Sequence, residues 1–205
     1  MNRKEEILLV TLELAAENGL SNVSMAQIAE KIGIKKPSLY NHFKSKEEII
    51  VAMYQYFRNE SKEALSLTDI DYGALVKGKS MEEALNQAVL NYVNMISGGK
   101  MFLFYKVIYT ERAINSNAAK IMVEETRRMI ITTKSLFYAL QAHGKICIDD
   151  IDMAATSFAM VIHAMIDYQF DCSCSGEPAS QDMVQNYIKW FCNQYGGVND
   201  EKNID

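Results

Sequence analysis

From Ser24 onward the apolar positions fall three and four apart: Met25, Ile28, Ala29 and Ile32 draw one stripe along a helix, and Ser24 stands where a hydroxyl caps its first turn. Gly33 ends the stripe, because glycine accepts the left-handed backbone needed just past a helix. A second short helix is predicted over residues 36–42. Pro37 falls in its first turn, where a missing N–H has no partner to lose, and Ile34 with Leu39 fills the angle between the two helices. The helical period then runs on. Residues 46–67 carry Ile49, Ile50, Met53, Tyr54 and Phe57 on one side. Tyr72-Gly73 and Gly78-Lys79-Ser80 mark a break, and further helices are predicted over 81–96, 101–113, 117–143, 150–172 and 180–195. Ser80 and Glu83 have the spacing of a capping box, while Gly98-Gly99, Asn115-Ser116-Asn117 and His143-Gly144 separate the later helices. With two prolines and no alternating strand pattern in 205 residues, the expected fold is all-α.

Charge changes this picture locally. The chain carries a formal net charge of −5, yet residues 21–46 hold five lysines and one acid, Glu30. The polar face of the second short helix offers Lys36, Ser38, Tyr40, Asn41 and His42, with Lys35 before it and Lys44 and Lys46 after. A basic patch of this kind gains free energy on a phosphate backbone by releasing condensed counterions, and an acidic remainder discourages binding elsewhere. Two short helices at a sharp turn, with these donors on the rim, have the form of a DNA-reading helix-turn-helix.

On these residues the segment 7–50 resembles the DNA-binding region of the TetR family of one-component transcriptional regulators. The matching positions are Ile7, Val10, Thr11 and Leu14, then Glu17-Asn18-Gly19, Ile28-Ala29, Gly33, Leu39-Tyr40, His42-Phe43 and Lys46-Glu47-Glu48. Ser24 replaces the family's usual Thr and keeps the capping oxygen. Ala15 is smaller than usual, and Lys35 stands where a capping Ser is common, which weakens the start of the second helix by about 1 kcal/mol. The resemblance implies a three-helix DNA-binding domain over residues 1–48 and a larger helical effector-binding and dimerisation domain over 49–205. It assigns DNA contacts to Ser24, Lys35, Lys36, Pro37, Ser38, Tyr40, Asn41, His42 and Lys46. Lys36 and Ser38 would face base edges, with Tyr40, His42 and Lys46 on phosphates. Leu39 and Phe43 are expected to pack inward.

The remaining 150 or so residues suffice for a second core. Met153 to Ile166 is apolar or small nearly all round, more than one buried face requires, and Val184, Tyr187, Ile188 and Phe191 form a stripe on the last helix. The family likeness implies that these helices pair with their copies in a two-fold four-helix bundle, through Phe158, Ile162, Met165, Ile166, Val184, Tyr187, Ile188 and Phe191. Such a homodimer reads a palindromic operator in double-stranded DNA. The middle of the chain is rich in rings and thioethers, which suits an apolar or amphipathic small-molecule effector; Tyr92, Met95, Phe102, Tyr105, Tyr109, Met122, Met129 and Phe137 are the candidate lining residues. His163 and Asp167 share a helix face and either orient an effector or are satisfied in the core or across an interface. Glu124, Glu125, Arg127 and Arg128 read as a solvated face.

Cys147, Cys172, Cys174 and Cys192 lack metal-site or redox spacing, since Cys172-Ser173-Cys174 is not a CxxC pair. No metal or cofactor is expected, and no catalytic residue: the sequence has no phosphate-cradling glycine loop and no nucleophile spaced from a base. No run of eighteen uncharged apolar residues occurs and no leader pattern opens the chain, so the expected location is the cytoplasm, without membrane insertion. The expected role is a repressor released from its operator by the effector. An activator would use the same helices. The alternatives are a metal- or thiol-responsive regulator of the same fold, and a small-molecule-binding protein or enzyme without a DNA function.

Overall fold

The computed structural model of the protein describes residues 2–64, 70–178, 180 and 182–197, with no account of the side chains of 61–64. Helices dominate: α1 (Arg3–Asn18), α2 (Met25–Ile32), α3 (Lys36–Tyr40), α4 (Lys46–Ala64), α5 (Tyr72–Val76), α6 (Met81–Ser97), α7 (Gly99–Glu111), α8 (Ser116–Ala142), α9 (Ile151–Ser175) and α10 (Met183–Tyr195). A one-turn 3₁₀ helix, Leu20–Asn22, joins α1 to α2. The only extended pairing among the described residues is an isolated antiparallel bridge between Ile146 and Gly196. None of the described helices is long and apolar enough to cross a membrane.

The chain divides into two compact units: Met1–Ser66 with Asn94–Glu125, and Leu67–Val93 with Thr126–Asp205. Contacts group α1–α4 with α7 and the start of α8. In the first unit α1 lies centrally, packed on α2, α4 and α7. Ile7 and Leu12 of α1, Ile28 of α2, Leu39 of α3, Ile49, Met53 and Phe57 of α4, and Phe104 and Ile108 of α7 are essentially fully buried. Thr11 is buried too, and its hydroxyl donates to the Ile7 carbonyl at 2.7 Å, which satisfies it locally. In the second unit Met81 and Leu85 of α6, Leu136, Phe137 and Leu140 of α8, Ile151, Phe158 and Ile162 of α9, and Val184, Ile188 and Phe191 of α10 form one core.

Most predicted helices are present with shifted ends. The last turn predicted for α4, residues 65–67, lies outside the described residues. The stretch at Tyr72-Gly73, predicted as a break, is instead the short α5: Asp71 accepts from the Ala74 amide at 2.9 Å and Val76 is fully buried, so a cap and a tertiary contact hold a helix that the local sequence argues against. The Ser80–Glu83 box forms as predicted, with the Ser80 amide donating to Glu83 at 2.7 Å and the Glu83 amide to the Ser80 hydroxyl at 3.1 Å. The α7 segment is a full helix of 13 residues.

The bridge at Ile146 was not predictable from periodicity. It ties the loop after α8 to the end of α10, through the Cys147 amide on the Tyr195 carbonyl (2.9 Å) and the Gly197 amide on the Lys145 carbonyl (3.0 Å). A Cβ at Gly197 would meet the Gly144 carbonyl oxygen at 2.2 Å, so only glycine allows this approach.

Candidate nucleic-acid interface

The helix-turn-helix is fixed by its two ends. Ser24 caps α2: its hydroxyl accepts the Gln27 amide at 3.3 Å and the Gln27 side chain accepts the Ser24 amide at 2.8 Å, a closed capping box. At the other end Gly33 is left-handed (φ 77°), its amide donating to the Glu30 carbonyl at 3.0 Å, and the Ile34 amide donates to the Ala29 carbonyl at 2.9 Å. This is the Schellman arrangement, and half-buried Ile34 packs on the same core as Ile28 and Ala29. The direction in which the chain leaves α2 is thereby set.

α3 is shorter than predicted, ending at Tyr40, although the His42 and Phe43 amides still fold back on the Leu39 carbonyl at 2.9 and 3.1 Å. Lys35 occupies the cap position without a side-chain cap bond, and Pro37 sits in the first turn. Leu39 and Phe43 are buried, as the pattern predicts. Lys35, Lys36, Pro37, Tyr40 and Asn41 are exposed, while Ser38 and His42 are half-buried beside them. The structure thus brings these seven residues of the predicted set onto one short element, with Ser24 engaged in its cap.

Lys46 is half-buried, and its ammonium donates to the Ser21 carbonyl at 3.0 Å. The start of α4 is in this way pinned to the turn before α2. Lys44, outside the predicted set, donates to the Tyr40 carbonyl at 3.0 Å, at the negative end of α3. Ser45 and Glu48 form a further cap at the start of α4 that was not predicted. The Ser45 hydroxyl accepts the Glu48 amide at 3.2 Å, and the Glu48 carboxylate accepts the Lys44 amide. The S-x-x-E spacing just before an apolar run was the available signal. The neighbouring Glu47 carboxyl is held below its ordinary range by backbone N–H and then the Ser45 hydroxyl.

Of the predicted solvated face, Glu124 and Arg127 are exposed and Arg128 is half-buried, whereas Glu125 is buried and corrects the expectation. Arg58 of α4 is 6% exposed and donates to both glutamates: its Nε and Nη2 reach Glu124 at 3.2 and 2.8 Å, and Nη1 reaches Glu125, itself 7% exposed. Arg58 lies four residues after Tyr54 on the buried stripe of α4, so periodicity held the signal for a buried charge in need of partners.

The predicted effector residues divide between the units. In the first, Tyr105 and Met122 are buried, Met95 and Tyr109 half-buried and Phe102 exposed; in the second, Phe137 is fully buried in the ring cluster and Tyr92, Met129, His163 and Asp167 are half-buried. His163 Nε2 lies 4.0 Å from Asp167, and its Nδ1 is buried without a hydrogen-bond partner. Of the predicted dimer residues, Phe158, Ile162, Val184, Ile188 and Phe191 pack inside the protomer's own core, and Met165, Ile166 and Tyr187 stay partly exposed. The outward side of α9 and α10 shows Met153, Met160, Tyr168 and Trp190 instead, and a hollow of about 390 Å³ between Met153, Ser157, Tyr187, Trp190 and Tyr195. Among the described residues no three His, Cys, Asp or Glu side chains are grouped to hold a metal ion.

This architecture, a capped helix-turn-helix followed by a helical remainder, is shared with known proteins. The family model for bacterial regulatory proteins of the tetR family matches residues 7–53, and that for the C-terminal domain of AefR-like transcriptional repressors matches residues 83–197. The chain belongs to the TetR family of transcriptional regulators. It is 29% identical over 87 residues to the regulator YerO of Bacillus subtilis, covering 42% of this chain and 29% of YerO. It is 36% identical over 56 residues to the repressor KstR2 of Mycolicibacterium smegmatis (27% of each chain), and 25% identical over 91 residues to the class C tetracycline repressor of Escherichia coli (44% and 41%). The matched stretches thus span less than half of these relatives. In fold, the chain is similar to a transcriptional regulator of Saccharomonospora viridis solved with choline (TM-score 0.68, 20% identity, 94% of this chain and 97% of that one). A TetR-family regulator of Mesorhizobium loti is comparable (TM-score 0.65, 18% identity, 96% and 100%).

Proposed function

We propose that this protein is a homodimeric transcriptional repressor that binds a palindromic operator and is released by a small-molecule effector. One observation carries the reading: the Schellman turn after α2 fixes α3 with its polar side exposed, and Lys35, Lys36, Lys44 and Lys46 around it have no carboxylate ion-pair partner among the described residues. Lys31, by contrast, at 3.6 Å from Glu13 and 3.7 Å from Glu17, is already neutralised. Lys36 and Ser38 read base edges, while Tyr40, His42, Lys44 and Lys46 hold phosphates. For Lys46, a phosphate oxygen takes the place of the Ser21 carbonyl it now contacts. The matched C-terminal domain, described from transcriptional repressors, supports repression as the sign.

A second copy covers the outward side of α9 and α10. Met153 at 62% and Trp190 at 51% exposure are large apolar groups that a lone protomer leaves in water, and the hollow beside them is a socket for the partner's side chains. Two-fold symmetry then sets two α3 helices about 34 Å apart, one helical turn of DNA. For the effector, the unpartnered Nδ1 of His163 in an apolar setting supports a polar anchor, and the choline bound by the Saccharomonospora neighbour supports a small amphipathic molecule. With DNA as its partner, the protein works in the cytoplasm.

The test is to incubate the purified protein with sheared DNA of its source organism, recover bound fragments at moderate salt and sequence them. A few inverted repeats near promoters are expected. Recovery without sequence preference would refute the operator reading, and light scattering of the same sample checks the dimer.

A further inference from the structure

We infer that Lys4, in the first turn of α1, is an additional phosphate contact of the DNA-binding face. This rests on the DNA-binding reading above but on a residue that lies before the family match at 7–53 and was not among the predicted contacts.

Its position is well defined. The Asn2 side chain accepts the Glu5 amide at 3.0 Å and Glu5 accepts the Asn2 amide at 2.9 Å, so a closed capping box fixes where α1 begins. From that turn the Lys4 ammonium reaches over the ring of Phe43, 5.7 Å from its centroid. Phe43 is buried, and it stands between His42 and Lys44 at the exit of α3. Residues about 40 apart in sequence are thereby neighbours, and an exposed cation from α1 joins the rim of the reading helix.

How the cations of this region are used separates Lys4 from its neighbours. Within residues 2–60 there are eight. Arg3 is bound to Glu6 at 2.6 Å, Lys31 to Glu13 and Glu17, and Arg58 to Glu124 and Glu125. The other five, Lys4, Lys35, Lys36, Lys44 and Lys46, have no carboxylate ion-pair partner among the described residues. Four of these cluster at α3 and the start of α4. Lys4 is the fifth, and the two acids nearest it in its own turn are committed elsewhere, Glu5 to the cap and Glu6 to Arg3. A cation–π contact at an exposed site is weak, so the ring positions the ammonium without competing with a phosphate.

The experiment uses the full chain, a duplex carrying the recovered inverted repeat and a scrambled duplex of equal composition, with affinity measured across a range of potassium chloride. Lys4→Ala should weaken both duplexes by the same factor and lower the slope of log affinity against log salt by about two, since each contact contributes about 0.9 and a dimer carries two copies. Lys4→Arg should restore the wild-type slope. Lys4 is exposed, so neither change threatens folding. An unchanged slope in Lys4→Ala while Lys46→Ala loses its own share would overturn this assignment and leave the DNA-binding reading standing. A changed preference between the duplexes would overturn it also, by making Lys4 a base reader. If the wild type bound neither duplex, both readings would fall together.

Discussion

The first unit keeps Thr11, Arg58, Glu125 and the hydroxyl of buried Tyr54 in its interior beside rings such as Phe57 and Phe104; the core of the second unit is built around a cluster of rings. There Phe137 lies 5.5 Å from Phe158 and 5.7 Å from Phe191, and Phe158 lies 5.0 Å from Phe191. The contrast follows from what each material does. Apolar packing is non-directional and strong in sum, so it suits a core whose task is cohesion. A buried ion pair gains little net stability, because desolvation offsets most of the attraction, but it tolerates few geometries. Arg58 belongs to α4, whose first residue, Lys46, is also in the candidate DNA face. A directional tie from α4 to Glu124 and Glu125 of α8 holds that helix in register where an apolar contact would let it slide.

The largest expected effect breaks the aromatic side of this contrast. Phe137→Ala empties the centre of the ring cluster and should cost about 4 kcal/mol, read by urea denaturation. A loss below about 1 kcal/mol would mean the rings close over the gap. Slightly smaller, Arg58→Ala leaves Glu125 buried without its cation and should cost about 3 kcal/mol. The paired change Arg58→Met with Glu125→Met sharpens the point: stability should return to near the wild-type value while operator affinity does not. Full recovery of both would show that the triad contributes cohesion alone.

The helix-turn-helix was legible because its signals are local. Ser24, Gly33 and Pro37 each act within four residues, and the backbone obeys them. Gly33→Ala, which forces a Cβ into φ 77°, should therefore cost about 1 kcal/mol, visible as a lower Tm, with Ser24→Ala close behind. Elsewhere the deciding contacts are distant in sequence. Helix α5 exists because Val76 finds a core, and the Ile146–Gly196 bridge joins residues fifty apart. Arg58 stood on the apolar stripe, but its partners 66 and 67 residues away could not be paired from periodicity. In α9 the apolar residues run nearly all round, so the sequence could not say which side faces inward. The protomer uses Phe158 and Ile162 and leaves Met153 and Met160 outside. The effector residues rested on composition, which carries no direction at all.

The smallest effect distinguishes the units by acid. Glu83 in the second unit and Glu47 in the first both have carboxyls held below their ordinary range; for Glu83 the causes are first the Ser80 backbone N–H and then its hydroxyl. A carboxyl lowered in the folded state adds stability that is fully present above its unfolded value and is lost as pH falls through the folded one. Both contributions should therefore fade together on acidification, below the ordinary glutamate range. Glu83→Gln removes the titrating group while keeping an acceptor, so the acid-induced drop in Tm should shrink but persist through Glu47. Glu47→Gln alone should shrink it in the same way, and the double variant should flatten this part of the profile. If Glu83→Gln left the acid limb unchanged, the Ser80–Glu83 box would be too open to water to matter.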